Sequence, residues 1–189
     1  GDPARRGQGL YDQMKSVGAH EVLVENPRHE GNYWTAADAE LEQFLILAGT
    51  RITDLKRDRR FKYVTIYKDF GPAAGQEFDH PTSQLTATTF FPRRVLYELR
   101  AGKEYFQQKE RCVFCDIIAQ EEKEAVRVVE ARGDYIATCP YAPRVPYEVW
   151  IIPRTHEAFF ERSAARSGAM RDLATLLKRT LVRIRSFTD

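Results

Sequence analysis

A short motif that recurs once, at a fixed distance, most constrains the fold of this 189-residue chain. Residues 21–24 read Glu-Val-Leu-Val and residues 148–151 read Glu-Val-Trp-Ile, and each is followed by Pro and Arg and then by a His-Glu pair. The two histidines, His29 and His156, are 127 positions apart (156 − 29), as are the two short segments. A strand, a break and a His-Glu pair in one register indicate two copies of a single supersecondary unit.

The hydrophobic pattern predicts an α+β fold with antiparallel sheets and flanking helices. Alternating polarity predicts strands at residues 20–25, 61–67, 83–90, 126–131, 134–139 and 147–152. Helical spacing predicts helices from an N-cap at Thr35 to about residue 57, and at 92–107, 116–122 and 171–185. Residues 1–17 are polar and Gly-rich, which predicts a loop or frayed arm. Because the elements follow no strict βαβ rhythm, hairpin pairing is favoured over a parallel sheet.

A Gly-rich connection at residues 68–84 stands between two of the predicted strands. Gly71 and Gly75, together with two prolines, require a shaped loop. Such a loop entering a strand can bring backbone N–H groups close to a phosphate. His80 and Gln84 lie four residues apart on the exit strand, which places both on one face. An ordinary long hairpin loop is the alternative interpretation.

The cysteines indicate a metal site. Cys112-x-x-Cys115 is half of a typical zinc site, because two thiolates two residues apart can hold one ion from a tight turn. His156 follows a predicted strand and is a candidate third ligand. An unmetallated pair in a turn is the alternative. Three cysteines, an odd number, suit a reducing compartment better than a disulfide framework, so we expect a cytoplasmic protein.

The charge and the hydropathy pattern argue against two classes of partner. The formal net charge is +2, which is too small to favour nucleic acid or an anionic membrane. The chain has no apolar run of the roughly 18 residues that would cross a membrane. Basic residues cluster at residues 57–62 and 178–185, and we interpret both clusters as solvated helix faces.

The Gly-rich connection also resembles the active-site segment of a known family. Gly71, Gly75 and the run His80-Pro81-Thr82-Ser83-Gln84 are similar to the galactose-1-phosphate uridylyltransferase family of the histidine-triad (HIT-like) superfamily. That family's motif is His-Pro-His-x-Gln or His-Ser-His-x-Gln, and its middle His is the nucleophile, whereas this chain has Thr82 there. The resemblance extends over residues 18–27, 62–115 and 134–160. It implies two tandem HIT-like repeats, at residues 1–108 and 109–189.

The resemblance assigns further site residues. Ser83 and Gln84 match the positions after the nucleophile, where the Gln side chain contacts the transferred phosphoryl group. Gly75 matches a loop Gly near the phosphates. Asp69 stands where a nucleotide-contacting Asn is usual, and Glu77 where a Ser is usual. Each of these two acids would weaken the binding of an anionic nucleotide unless a cation compensates.

The resemblance also implies two zinc sites. Cys112, Cys115 and His156 match one site, and His29 and His80 match the other. Subtracting 127 from the cysteine positions gives numbers below 1, and adding 127 to 80 gives a number above 189. The remaining ligands of each site would therefore lie outside this sequence. We expect the chain to be the middle of a longer protein, with both repeats truncated.

The family activity is a two-step transfer of UMP between a UDP-hexose and a hexose 1-phosphate, through the nucleophilic His. For this chain the resemblance implies the same substrates, with Thr82, His80 and Gln84 in the catalytic segment. A neutral imidazole is nucleophilic near pH 7 and forms a labile P–N bond, whereas a hydroxyl without a base is a poor nucleophile. The alternative is a catalytically inactive, nucleotide-binding module stabilised by zinc. The resemblance leaves a homodimer open.

Overall fold

Two three-stranded antiparallel sheets form the frame of the structure, a computed structural model that describes residues 6–188. The strands are β1 (Arg6–Gln8), β2 (Tyr11–Gln13), β3 (Gly18–Val24), β4 (Tyr63–Tyr67), β5 (Thr82–Thr88), β6 (Val128–Arg132), β7 (Tyr135–Thr138) and β8 (Trp150–Pro153). The helices are α1 (Asp38–Leu55), α2 (Arg93–Lys109), α3 (Val113–Glu124), α4 (Phe160–Ala164) and α5 (Ala169–Thr188). The first sheet has the order β3-β5-β4 and the second has the order β6-β7-β8. The α+β class and the antiparallel pairing are therefore confirmed.

A single hydrophobic core joins the two halves of the chain. It contains Leu23 and Leu85 of the first sheet, and Tyr135 and Ala137 of the second. The apolar faces of α1 and α5 pack against each other in the same core. At Gly49 an added Cβ would lie 2.5 Å from the Cβ of Ala164, so a glycine is required where α1 meets α4.

Several elements differ from the prediction. The first helix begins at Asp38 and not at Thr35, because the Thr35 hydroxyl accepts a hydrogen bond from the Asn32 amide in the preceding turn. Residues 6–13, predicted as a loop, contain the exposed β1–β2 hairpin, while residues 1–5 of that prediction lie outside the described part. Helix α3 begins three residues earlier than predicted, and α4 was not predicted.

The structure also changes, by one residue, the separation at which the strands of the two copies align. Leu23 is buried in the core, whereas Trp150, its match at a separation of 127 (150 − 23), is not among the core residues. Val149, at a separation of 126 (149 − 23), packs against the core. Since a one-residue slip turns every side chain to the other face of a strand, 126 is the register that matches the two strands. With the strands matched at 126, the loop that leads from β8 to His156 is one residue longer than the loop that leads from β3 to His29. The division into two repeats stays a prediction.

None of the helices within residues 6–188 combines the length and the apolar composition needed to span a membrane.

Candidate functional site

The side chains of β5 divide between the core and an open face of the first sheet. Ser83, Leu85 and Ala87 are fully buried, and the alternate residues, which include Thr82 and Gln84, are partly exposed. This division follows from the period of two in a strand. Thr82 and Gln84 therefore lie side by side on the outer face, as the sequence predicts, and His80 precedes the strand.

Two neighbouring strands orient the Gln84 side chain. Its Oε1 accepts a hydrogen bond from the Tyr67 hydroxyl at 3.0 Å and lies 2.9 Å from His20 Nε2. Because the amide oxygen takes both contacts, the amide nitrogen makes no hydrogen bond among the described residues and can donate to a ligand. His20 and Tyr67 were not predicted as site residues. The alternation of inward and outward side chains in β3 and β4, combined with the pairing of both strands to β5, could have predicted that His20 and Tyr67 share the outer face with Gln84.

A buried polar cluster lies behind the strand that carries Thr82. Ser83 Oγ donates to Glu25 Oε1 at 2.7 Å and accepts from the Tyr33 hydroxyl. Lys68 Nζ donates to both Glu25 oxygens, at 2.9 and 3.0 Å, and lies 3.3 Å from the carbonyl oxygen of Thr82. Burial, reinforced by Glu25, raises the pKa of Tyr33, so this hydroxyl stays protonated. The Ser83 side chain thus points away from the open face, and Lys68 is committed to Glu25.

The Gly-rich loop has the backbone shape that its glycines allow. Pro72–Ala74 form one turn of 3-10 helix between Gly71 (φ 85°) and Gly75 (φ 86°), and both values are unfavourable for side chains with a Cβ. The Gly71 N–H donates to Gln76 Oε1 at 2.7 Å, so this donor is already used inside the loop. Asp69 and Glu77 make no ion pair among the described residues. The loop therefore carries two carboxylates that no ion pair within residues 6–188 neutralises.

Aromatic and cationic side chains contact the start of the loop, and no sequence pattern predicts these contacts. The Trp34 ring meets the Phe70 ring edge-on at 4.6 Å. The guanidinium of Arg185, near the end of α5, lies 4.5 Å from the centre of the Trp34 ring. The last turns of α5 thus contact the segment that leads into Gly71.

Cys112, Cys115 and His156 form a cluster that could hold a metal ion, with their ligand atoms all within 4.8 Å of one another. Cys112 is the N-cap of α3, Cys115 lies in its first turn, and His156 lies in the loop after β8. Cys115 Sγ is 3.1 Å from His156 Nδ1, close to the roughly 3.5 Å between sulfur and nitrogen ligands of a tetrahedral zinc ion. Burial and the nearby Cys112 raise the pKa of the Cys115 thiol, so a metal ion would displace its proton.

His29 and His80 also converge, at the other side of the Gly-rich loop. Their Nδ1 atoms are 3.4 Å apart, which equals the roughly 3.3–3.4 Å expected for two imidazoles on one tetrahedral ion. His80 Nε2 donates to the carbonyl oxygen of Asn26 at 2.7 Å, and this leaves the Nδ1 lone pair free. Two ligands are fewer than a zinc site needs, and the described residues supply no larger cluster around this pair.

No family model matches the chain, but the chain is similar to several enzymes of sugar-nucleotide metabolism. An ADP-glucose phosphorylase from Arabidopsis thaliana is 28% identical over 176 residues, which are 93% of this chain and 48% of that protein. A galactose-1-phosphate uridylyltransferase from Thermotoga maritima is 28% identical over 149 residues, which are 79% of this chain and 46% of that protein. This chain spans about half the length of these relatives.

The fold comparison agrees with the sequence comparison. A crystal structure of an Arabidopsis thaliana ADP-glucose phosphorylase with bound ADP-glucose superposes with a TM-score of 0.81 at 27% identity. The match covers 89% of this chain and 52% of that one. The chain therefore belongs to the HIT-like family that contains galactose-1-phosphate uridylyltransferase and ADP-glucose phosphorylase.

Proposed function

We propose that the open face of the first sheet is the nucleotide-sugar site of a nucleotidyltransferase of sugar metabolism, with UDP-hexose and hexose 1-phosphate as substrates. One observation carries the proposal. The register of β5 sets Thr82 beside Gln84 on the exposed face, and Tyr67 and His20 hold the Gln84 amide oxygen, which leaves the amide nitrogen available to a ligand. This is the geometry needed to hold a phosphoryl oxygen next to the residue at position 82.

The chemistry assigns a separate task to each residue. The Gln84 amide nitrogen donates a hydrogen bond to a non-bridging oxygen of the α-phosphate, where negative charge develops during transfer. A nucleophile at position 82 forms a bond to the α-phosphorus, and the hexose 1-phosphate leaves with the electrons of the bond that breaks. An incoming hexose 1-phosphate then takes the nucleotidyl group by the reverse displacement.

Thr82 limits this reaction in the chain as it stands. Among the described residues no base hydrogen-bonds to its hydroxyl, so the hydroxyl keeps its proton and attacks slowly. The uncompensated Asp69 and Glu77 further oppose an anionic ligand. These observations favour a second candidate function, a nucleotide-binding module that does not turn over. We expect turnover at or near background.

The metal ligands support a structural role for zinc. Cys112, Cys115 and His156 would hold one ion between the start of α3 and the loop after β8, two segments that are 41 residues apart (156 − 115). His29 and His80 would contribute two ligands to a second ion beside the loop. Bound zinc supplies folding free energy at such sites, and the site at Cys112 lies away from Thr82 and Gln84.

The test is a coupled assay of the Thr82 protein and its Thr82→His variant with UDP-glucose and galactose 1-phosphate. The variant restores an imidazole at the nucleophile position, and we expect its rate to rise by about two orders of magnitude or more. Thr86→His is the matched control, since it places the same group four residues along β5 on the same face. Calorimetric titration with UDP-glucose and ADP-glucose on both proteins separates binding from turnover.

The outcomes separate the two candidate functions. Binding without turnover in either protein selects the non-catalytic module. Robust turnover by the Thr82 protein would show that another residue is the nucleophile. An equal gain from Thr86→His would contradict the assignment of position 82, and no binding of either nucleotide sugar would contradict the site itself.

A further inference from the structure

The two sulfurs of the ligand cluster stand at the start of one helix. Cys112 is the N-cap of α3, and its carbonyl oxygen accepts a hydrogen bond from the Asp116 N–H at 3.0 Å. Cys112 and Cys115 therefore belong to a single helical turn. The geometry of such a turn sets their Cα atoms about 5 Å apart, which is within the roughly 4.4–6.8 Å that a disulfide spans.

The cluster is accessible from solvent. Cys112 and Cys115 are partly exposed, and His156 is exposed. All three residues line a groove of about 810 Å³ between α2 and α3, whose apolar wall includes Leu99 and Phe106. A groove of this volume can admit a small molecule, so a low-molecular-weight oxidant can reach both sulfurs.

A zinc ion and a disulfide exclude each other at this cluster. A tetrahedral ion with ligands about 2.3 Å away holds two sulfurs about 3.8 Å apart, whereas a disulfide bonds them directly. The ligand atoms already lie within 4.8 Å of one another, so movement of the side chains is sufficient to reach either state. Because the thiolate is the metal ligand, a sulfur that is bonded to another sulfur no longer binds the ion.

The two states also differ in what holds His156. Its Nδ1 lies 3.1 Å from Cys115 Sγ, and among residues 6–188 this is its only hydrogen-bond partner. A bound ion would tie the loop after β8 to the start of α3 through His156, whereas a disulfide keeps both sulfurs on α3. The third cysteine, Cys139, is exposed, follows β7 and lies outside the cluster.

We propose that Cys112 and Cys115 are a redox-sensitive pair that exchanges a zinc ion for a disulfide, with a low-molecular-weight disulfide as the oxidant. One cysteine sulfur attacks the oxidant, forms a mixed disulfide and releases one thiolate. The other sulfur attacks the mixed disulfide, which forms the Cys112–Cys115 bond and releases the second thiolate. The two released thiolates take up protons from solvent, and two electrons have passed from the pair to the oxidant. The inference rests on the zinc site proposed above and is independent of the nucleotide-sugar site.

Equilibration of the whole chain in glutathione redox buffers, with and without buffered zinc, tests the proposal. Alkylation after an acid quench, followed by mass spectrometry, measures the disulfide between Cys112 and Cys115. Zinc buffered at 100 times its dissociation constant binds only the reduced pair. At a fixed concentration of reduced glutathione, we therefore expect half-oxidation to need about 100-fold more oxidised glutathione. Zinc release, followed with a chromogenic chelator, should match disulfide formation one to one.

Three variants identify the residues that take part. Cys139→Ser is the matched control, because it removes the exposed cysteine outside the cluster and should behave as the parent does. Cys112→Ser should form no disulfide within the chain. His156→Ala keeps both sulfurs but removes one zinc ligand, so the same zinc buffer should raise the oxidised glutathione needed by only about tenfold or less.

The outcomes separate the exchange from the zinc site itself. A protein that binds zinc but keeps the pair reduced at every glutathione ratio would overturn the exchange and leave the zinc site standing. A disulfide that forms equally with and without zinc would overturn the competition. A protein that binds no zinc would overturn both the zinc site and the exchange, and a disulfide to Cys139 would overturn the assignment of the pair.

Discussion

The outer faces of the two sheets differ, although both sheets pack their inner faces into one core. On the first sheet Val22 and Val24 are 45% and 57% exposed, and Thr82 and Gln84 lie beside them on the same open face. On the second sheet Ile136 and Thr138 are 1% exposed, and side chains of α3 lie over this face. Residues at positions such as Ile136 support the fold, whereas the exposed face of the first sheet leaves its side chains accessible to a ligand.

The polar groups of the two regions differ in the same way. Behind the first sheet the pair Lys68–Glu25 is joined by Ser83 and Tyr33 and reaches the backbone of Thr82. Beside the second sheet the Arg127 guanidinium pairs with the buried Glu121 and with no residue of the proposed site. The buried ion pair Lys68–Glu25 therefore stabilises β5, which contains Thr82 and Gln84. The ion pair Arg127–Glu121 instead joins α3 to the start of β6.

The largest expected effect is the loss of the buried cation behind the first sheet. Lys68→Met leaves Glu25, whose side chain is 4% exposed, without its partner, and should lower the free energy of unfolding by about 3–5 kcal/mol. Arg127→Met should cost less, about 2 kcal/mol, because Arg127 is 24% exposed and water reaches the pair. Urea denaturation measures both. The double variant Glu25→Gln/Lys68→Met should recover much of the loss, and a failure to recover would show that shape and not charge matters there.

A second prediction compares the outer faces directly. Ile136→Ala on β7 should lower the free energy of unfolding by about 2–4 kcal/mol, since it opens a cavity at a fully buried position. Thr86→Ala, at the outer face of the central strand of the first sheet, should change it by about 0.5 kcal/mol or less. Equal losses in urea denaturation would mean that the first sheet is also covered in solution.

The two metal-ligand clusters give a third comparison. Cys115→Ser removes one of three converging ligands, whereas His29→Ala removes one of two. If free zinc is 100-fold above the dissociation constant, loss of the first ion costs about 2.7 kcal/mol, or roughly 5–10 °C in melting temperature. His29→Ala should change the melting temperature less. Metal analysis with thermal melts tests this, and an unchanged zinc content in Cys115→Ser would contradict the first site.

The smallest expected effect concerns the contact between the two halves. Asp38 in α1 accepts hydrogen bonds from Thr175 and Lys178 in α5, and these contacts hold the pKa of Asp38 below its usual value. A lowered pKa means that the contribution is present above about pH 4 and is lost as the pH falls through the folded pKa. Asp38→Asn should cost less than about 1 kcal/mol at pH 7, because Asp38 is 45% exposed. The difference from the parent should vanish in acid denaturation, and a difference that persists at low pH would point to packing instead.

Local pattern was sufficient to predict most elements of the fold, and the resemblance to the uridylyltransferase family predicted the convergence of Cys112, Cys115 and His156. Alternation in β5 also predicted that Thr82 and Gln84 share a face. What the pattern could not predict depends on contacts between distant elements. Ser83 turns into a buried cluster because Glu25 and Tyr33 meet it from other segments. Arg185 lies 151 residues beyond Trp34 (185 − 34), and no local signal links them.

Hydrogen exchange of the Thr82 protein with and without UDP-glucose tests the proposed nucleotide-sugar site, since it locates the ligand without requiring turnover. We expect slower exchange in the Gly-rich loop and in β5, at residues 68–88, and unchanged exchange in the second sheet, at residues 128–153. Slower exchange confined to the second sheet and α3, or no change anywhere at saturating UDP-glucose, would contradict the assignment of the open face as the nucleotide-sugar site.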